Sequence, residues 1–322
     1  MTFQLTEPIL IIGIGGVGSK LTEKAKKSLN SDCLLISHDQ KDLTSENSIK
    51  ISTKSVVNPS AHLIRGSALE VLDEVKKNIS NYSTIILMSN LAGKAGIGIG
   101  PIISKICKEE EKNLLSFAIM PFKFEKERIF QSGIALKRIR EDSHCTIVLD
   151  NDALLDSNPE LTLKQCYDIS NKAIDSVVLS LKSSEISDDT NVLSVSKSSD
   201  DIEISLKDSL RMLYEDVPPN SIKRSMLYVY HGANIPVGVL NSISNITSGI
   251  FDEDSIHVDM SSEESKVVML SSVQGEIRFD KYDPLGMIPS ENTIDWDEPD
   301  LSLIHISEPT RPLYISYAVF CL

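Results

Sequence analysis

Apolar residues in this chain come in short runs separated by stretches of helical periodicity. Residues 9–12 (ILII) form the first run, which ends in glycines, and Leu21, Ala25 and Leu29 then share one helical face. This pattern predicts a strand, a tight connection and a helix. Further buried strands are expected at 33–37, 84–88, 114–119 and 145–149, with helices at about 61–79, 102–111 and 129–140 between them. Strands alternating with helices in this way predict an α/β domain over residues 1–160, with a doubly wound, mainly parallel sheet.

A longer helical pattern covers 161–182, with Leu163, Cys166, Ile169, Ala173, Val177 and Leu181 among its apolar positions. It predicts a long central core helix. Residues 183–203 are rich in Ser and Asp around a short β-like piece at 191–195, and read as a loop or hairpin insertion at a domain boundary. From 204 to 279, a helix, a Pro218–Pro219 turn, strands at 226–230, 256–260 and 267–270, and a helix at 237–250 predict a second, smaller α+β domain. Residues 280–300 are acidic and Pro-bearing and read as an extended linker. Residues 301–322, LSLIHISEPTRPLYISYAVFCL, break abruptly with what precedes them; translated back into codons they resemble sequencing-adapter DNA, and they are set aside from the fold.

Charge narrows the partners. The 322 residues carry 32 Lys and Arg against 46 Asp and Glu, a net charge of −14, which repels nucleic acid and anionic membrane surfaces at long range. No apolar run approaches a membrane span and the first residues lack a leader pattern, so no direct membrane insertion is expected and the expected compartment is the cytoplasm. Cysteines at 33, 107, 145, 166 and 321 have no zinc spacing, and the first four lie in or beside apolar segments, as buried thiols do. The histidines are equally scattered, so no metal cluster and no Cys/His nucleophile are expected.

Two glycine-rich segments carry the chemistry. Gly13-Ile14-Gly15-Gly16-Val17-Gly18 fits G-x-G-x-x-G after a strand and before a helix, where backbone amides face phosphate. Alone it suits an NAD-type enzyme, an activating-enzyme-type adenylyltransferase, or a tight turn of purely structural purpose. The second segment, Gly93-Lys94-Ala95-Gly96-Ile97-Gly98-Ile99-Gly100, follows the strand ending near Met88, with Pro101 expected at the first position of the next helix. Glycines there let a backbone approach a polyphosphate from a second side.

Aligned on Pro101, that second segment resembles the GGGTGTG loop of the FtsZ/tubulin superfamily, and Ile102-Ile103-Ser104-Lys105-Ile106 resembles the helix that follows it. Pro121-Phe122-Lys123-Phe124-Glu125, with Arg128, is similar to the family's R-P-F-x-F-E-G-x-x-R, and Asn151-Asp152-Ala153-Leu154-Leu155 to N-D-x-L-L. Asn58-Pro59 resembles the Asn-Pro of the loop near the γ-phosphate, Ser37-His38-Asp39-Gln40 falls where the family has N-T-D-A, and Ser170-Asn171 falls at the guanine-reading Asp-Asn. His231-Gly232-Ala233-Asn234 resembles the G-G-T-N that opens the C-terminal subdomain. The resemblance implies a tubulin/FtsZ-type GTPase domain that binds GTP or GDP, with Mg2+ as a possible companion, and assembles head to tail with itself, in cell division alongside division partners it does not identify. It implies nucleotide-binding roles for Gly13, Gly15, Gly16, Gly18, Asn58, Gly93, Lys94, Gly96, Gly98, Glu125, Arg128, Asn151 and Asn171.

The chain departs from the family in ways that bear on turnover. Ala95 and Ile97 replace both threonines of GGGTGTG, Ala92 and Lys94 two of its glycines, and Lys20 stands where many relatives have a guanine-contacting Asn. The family's N-x-D-x-x-D loop, supplied by the next subunit to orient water, aligns with Glu203, Ser205 and Asp208, so one acid is lost or Asp200 or Asp201 replaces it. Slow or absent GTP hydrolysis is therefore expected, with Asp208 the catalytic candidate or a carboxylate that merely suits the start of a helix. Lys94 either faces the β/γ-phosphates, as P-loop lysines do, or is a solvated loop lysine. A filament-forming pseudo-GTPase and, more distantly, an adenylyltransferase are the alternatives.

Overall fold

The strands of the central sheet are apolar on both faces, as burial between two helical layers requires. The structure is a computed structural model and describes residues 2–54, 57–182, 186–188, 190–197, 199, 201–230, 237–248, 250, 253–259, 266–273 and 282. Residues 231–234, 280, 281 and 283–322, which the sequence assigns to the G-T-N-like opening, the linker and the tail, lie outside it.

In chain order, β1 (Thr2–Phe3) precedes β2 (Ile9–Ile14), α1 (Gly15–Leu29), β3 (Asp32–Ser37), β4 (Ser48–Lys50), α2 (Ala61–Ala68) and α3 (Leu72–Ile79). Next come β5 (Thr84–Asn90), α4 (Lys94–Glu109), β6 (Asn113–Met120), α5 (Lys126–Asp142), β7 (Cys145–Asp150), α6 (Asn151–Ser157) and α7 (Leu163–Ser180). The chain continues through β8 (Ile186–Ser187), β9 (Thr190–Val195), α8 (Ile202–Asp216), β10 (Ile222–Tyr230), α9 (Val237–Ser248), β11 (Glu253–Asp259) and β12 (Lys266–Val273).

Ten strands make one sheet in the order β11-β10-β12-β9-β7-β6-β5-β2-β3-β4. Its ladders are parallel except where β12 lies antiparallel to β9 and β10. The chain winds from β2 outward through β3 and β4, then returns to the other side of β2 and winds outward through β5, β6 and β7, so the order reverses between β2 and β5. Strand alternation assigns the two faces. Ile9 and Ile11 of β2, Phe117 of β6 and Ile147 of β7 pack with Leu21 and Ala25 of α1 and Ala173 and Val177 of α7. Leu10 and Ile12 pack with Ile64 of α2 and Ile99 of α4, and Val148 and Val192 with Leu136 of α5 and Leu206 of α8. The long central helix is present as α7, opened by a capping box in which Thr162 and Gln165 bond each other's backbone amides.

Three expected boundaries move. The helix expected over 61–79 is two helices joined by a 3₁₀ turn at Leu69–Val71, because Val71 leaves the helical region at φ −110° and ψ 14°. The boundary expected at 183–203 is no boundary: β9 pairs parallel with β7 and antiparallel with β12, so the α+β part from 204 onward extends the same sheet. The second glycine segment is not a loop ending at Pro101. It forms the first turns of α4, with Pro101 inside the helix, where it removes one i to i−4 hydrogen bond.

Candidate functional site

Open α/β sheets bind ligands beyond the carboxyl ends of their strands where the strand order reverses. Here that point lies between the ends of β2 and β5, and both glycine segments start there. β2 passes straight into α1 through Gly15, whose φ of +65° is the left-handed conformation that a side chain disfavours. A Cβ added to Gly15 would come within 3.0 Å of the Ala95 Cβ, so the starts of α1 and α4 touch.

Neither start is closed by a side chain. α1 begins at Ile14 and α4 at Gly93 without a side-chain cap and without an acidic residue in the first turn. The first amides of a helix have no intrahelical partner and carry the positive end of its dipole. Two such ends converging at a switch point make a site for an anionic chain such as a polyphosphate.

The glycines divide by what they do. At Gly96 a Cβ would lie 2.0 Å from the Asn90 carbonyl oxygen, at Gly98 2.8 Å from that of Ala61, and at Gly18 2.5 Å from that of Met88. Gly13 would meet the Thr22 hydroxyl at 2.5 Å. Gly13, Gly18 and Gly96 let α1 and α4 pack on strands and Gly98 lets α4 pack on α2, and all four shape the crevice indirectly. Gly15, Gly16 and Gly93 border it. The carboxylate of Asp42 lies 2.7 Å from where a Gly16 Cβ would stand, and its other oxygen accepts a hydrogen bond from the Ser37 hydroxyl at 2.7 Å.

Around these junctions most of the other expected residues assemble. The Lys94 ammonium donates to Asn58 Oδ1 at 2.8 Å, linking the start of α4 to the β4–α2 connection. Arg128 donates to the Ala92 carbonyl at 2.7 Å and to Glu125 at 3.2 Å, while the other Glu125 oxygen accepts from the Phe122 amide at 3.3 Å. Arg128 and Glu125 thus brace the turn before α4. Asn151 is fully buried; its amide donates to the Met120 carbonyl at 3.1 Å and its oxygen accepts from Ser170 at 2.8 Å. Its carboxamide ties β6, α6 and α7 together, and Ser170 is consumed in doing so. Asn171, one residue on, is half-buried. Lys123 bridges Asp152 and Asp156, and those two bonds push its pKa up.

Three residues missed in the sequence belong here. Tyr167 is half-buried one helical turn before Asn171 and stands edge-on to Phe122 at 5.6 Å, and burial followed by the nearby Glu125 pushes its phenol up. Its spacing of four from Asn171 was the available signal. Asn90 holds the turn before α4, its side chain accepting from the Ala92 amide at 3.0 Å and its carbonyl from the Gly93 amide at 3.1 Å. Asp42 lies in the acidic stretch after β3, and only packing against Gly16 reveals it.

Asp208, the expected catalytic candidate, lies on α8. β9 runs parallel to β7, so Val195 and Lys197 emerge at the same end as Asp150, and Lys197 pairs with Glu160 there. Asp208 is close enough to act on that Lys197, and the Ser209 hydroxyl lies 3.3 Å from Ser194. Asp208 therefore shares the end of the sheet that holds the glycine junctions. Asp201 caps α8 at the Glu203 amide, and Asp200 lies outside the described residues.

Among the described residues no group of three or more His, Cys, Asp or Glu is placed to hold a metal ion, and no helix is long and apolar enough to cross a membrane. The four described cysteines are buried.

Known proteins agree with this geometry. The family model described as "Tubulin/FtsZ family, GTPase domain" matches residues 8–159, the stretch containing both junctions. The chain is 28% identical to the cell division protein FtsZ of Aquifex aeolicus over 53% of its length and 48% of the relative's, and 26% identical to FtsZ 2 of Halobacterium salinarum over 52% and 44%. It therefore spans about half the length of the curated relatives it matches. Among solved structures it resembles an FtsZ dimer of M. jannaschii, with a TM-score of 0.65 and 16% identity over 84% of this chain and 89% of that one. It also resembles CetZ of Methanosaeta thermophila, with a TM-score of 0.63 and 15% identity over 86% and 90%. Motifs, sheet order, switch-point crevice and family model converge: residues 8–159 match the GTPase domain of the Tubulin/FtsZ family, and the chain resembles the FtsZ/tubulin superfamily in fold.

Proposed function

We propose that this chain binds a guanine nucleotide between the starts of α1 and α4 and assembles head to tail with its own copies, with weak hydrolysis. The observation that carries the reading is the meeting of two helix N-termini without side-chain caps at the point where strand order reverses. Asn171 and Tyr167, one turn apart on α7, are the groups proposed to meet the base. Mg2+ enters as a counter-ion of the phosphates, for which Asp42 beside Gly16 is the protein carboxylate at hand. The relatives' name supports a role in cell division, and the proposal places that role in the cytoplasm with division partners of its own.

Weak hydrolysis rests on two features. Ala95 and Ile97 replace hydroxyl-bearing residues and are buried, so their side chains offer no hydroxyl contact to phosphate. Ser205 stands where the family's water-orienting loop has an acid. The same two features favour the second reading, a filament former that keeps nucleotide without turning it over. An adenylyltransferase has no such support, since the family model that matches residues 8–159 is that of the Tubulin/FtsZ GTPase domain.

One experiment separates these readings: GTP and ATP binding, phosphate release and sedimentation, all on the full chain. Tight GTP binding, pelleting and slow release are expected. Pelleting with bound GTP and no release establishes the second reading. A preference for ATP sinks both.

A further inference from the structure

We infer that Lys94 distinguishes a nucleoside triphosphate from a diphosphate in this crevice, its ammonium held on Asn58 and turned to the terminal phosphate when a triphosphate binds. The inference rests on the nucleotide reading above. Lys94 is the first residue of α4, next to Gly93. A cation there opposes the helix dipole, so helical stability does not account for it. It is half-buried, and its partner at 2.8 Å, Asn58 Oδ1, belongs to a neutral carboxamide that cancels none of its charge.

An ammonium has three donors, and Asn58 engages one. The contrast with two other cations at this end of the sheet is direct. Lys123 is held by Asp152 and Asp156, and Arg128 by Glu125 and the Ala92 carbonyl. Among the described residues no carboxylate lies within ion-pair distance of Lys94. Asn58 itself sits at φ +49°, a left-handed conformation that Asn tolerates, in the connection between β4 and α2. The tether therefore spans from the start of α4 to a segment beyond both glycine junctions.

Amides of α1 and α4 neutralise phosphate only within about the first turn of each helix. A third phosphate extends past them and brings additional negative charge, and the Lys94 ammonium is the group placed to receive it. Such a contact is charge-assisted and shifts affinity about tenfold or more.

The test is calorimetric titration of the full chain with GTP and with GDP, at low and high salt, for the native protein and for Lys94→Ala, Lys94→Gln, Lys94→Arg and Asn58→Ala. Thermal melting shows that each variant is folded; Lys94→Gln removes the charge but keeps a hydrogen-bond donor, on a side chain one atom shorter. Both neutral variants are expected to lose about tenfold or more of GTP affinity and less than about threefold of GDP affinity, with the gap narrowing in high salt. Lys94→Arg is expected to retain the GTP-to-GDP ratio, and Asn58→Ala, which leaves the ammonium in place, to keep that ratio even where the affinity for both nucleotides falls. Equal losses for the two nucleotides in both neutral Lys94 variants, or none, overturn the inference while leaving guanine-nucleotide binding intact. If the native chain prefers ATP, the functional reading falls and the same ratio is read on ATP and ADP. If it binds no nucleotide, both fall.

Discussion

The helices that open onto the switch point and those that open elsewhere differ in their first turn: α3, away from the switch point, also lacks a side-chain cap, but it continues the 3₁₀ turn at Leu69–Val71 and carries Asp73 and Glu74 there, whereas α1 and α4 have neither cap nor acid. Ser60 caps α2 at the Leu63 amide, Asp150 caps α6 at the amides of Asp152 and Ala153, Thr162 caps α7 at Gln165, and Asp201 caps α8 at Glu203. α1, α4 and the adjoining α5 begin with no side-chain cap. Every helix start has amides to satisfy. Where the chain supplies its own acceptor, the helix end serves the fold; where it supplies none, the end is left to solvent or to an anionic ligand. Two such ends in contact at one crevice are the physical content of the proposed nucleotide site.

The comparison breaks hardest at Gly96. Gly96→Ala puts a Cβ 2.0 Å from the Asn90 carbonyl oxygen, so α4 has to lift off β5. A loss of about 2–3 kcal/mol is expected in chemical denaturation, together with nucleotide binding. Unchanged stability would show that α4 does not pack on β5 as described.

Giving α4 the cap it lacks is the sharper test. Gly93 has extended backbone at φ −96° and ψ 142°, which suits Asp, and its nearest neighbour to an added Cβ is 3.4 Å away. Gly93→Asp is expected to leave stability level or raise it by a few tenths of a kcal/mol, while its carboxylate lowers nucleotide affinity about tenfold. Equal or better nucleotide binding would remove the anion site from the start of α4.

Thr162→Ala is the converse. It removes the α7 cap and is expected to cost about 1 kcal/mol in denaturation, with nucleotide affinity unchanged in titration.

The smallest effect lies at the opposite end of the sheet, where burial and a 2.8 Å hydrogen bond to Asp32 push Tyr82 up to about 12. The folded state keeps this phenol protonated while the unfolded chain ionises near pH 10, so the contribution is present below about pH 10 and fades as pH rises toward 12. Melting curves of Tyr82→Phe are expected to fall less steeply than those of the native chain over that window, and nucleotide affinity to stay the same.

Much of the parallel half was legible because its signals are local. The apolar runs at 9–12, 84–88, 114–119 and 145–149 lie in four of its strands, and the periodicity of Leu21, Ala25 and Leu29 marks α1. The start of α4 was not, since Pro101 and the glycines spell a loop by propensity alone. Only packing against the backbones of Asn90 and Ala61 makes helical glycines favourable there. The β-like piece at 191–195 was legible as a strand, but its place in the main sheet was hidden, because its partners β7 and β12 lie far away in sequence.

By itself, then, the sequence determined the alternating α/β pattern, the family resemblance and the two glycine segments, because periodicity and motif spacing are properties of neighbouring residues. Tertiary structure decided which glycines border the crevice and which serve packing, that Asn151 ties elements together, that Lys94 rests on Asn58, and that Asp208 shares the crevice's end of the sheet. Each of these depends on how distant segments are brought together and on strand direction, and no local pattern of residues encodes either.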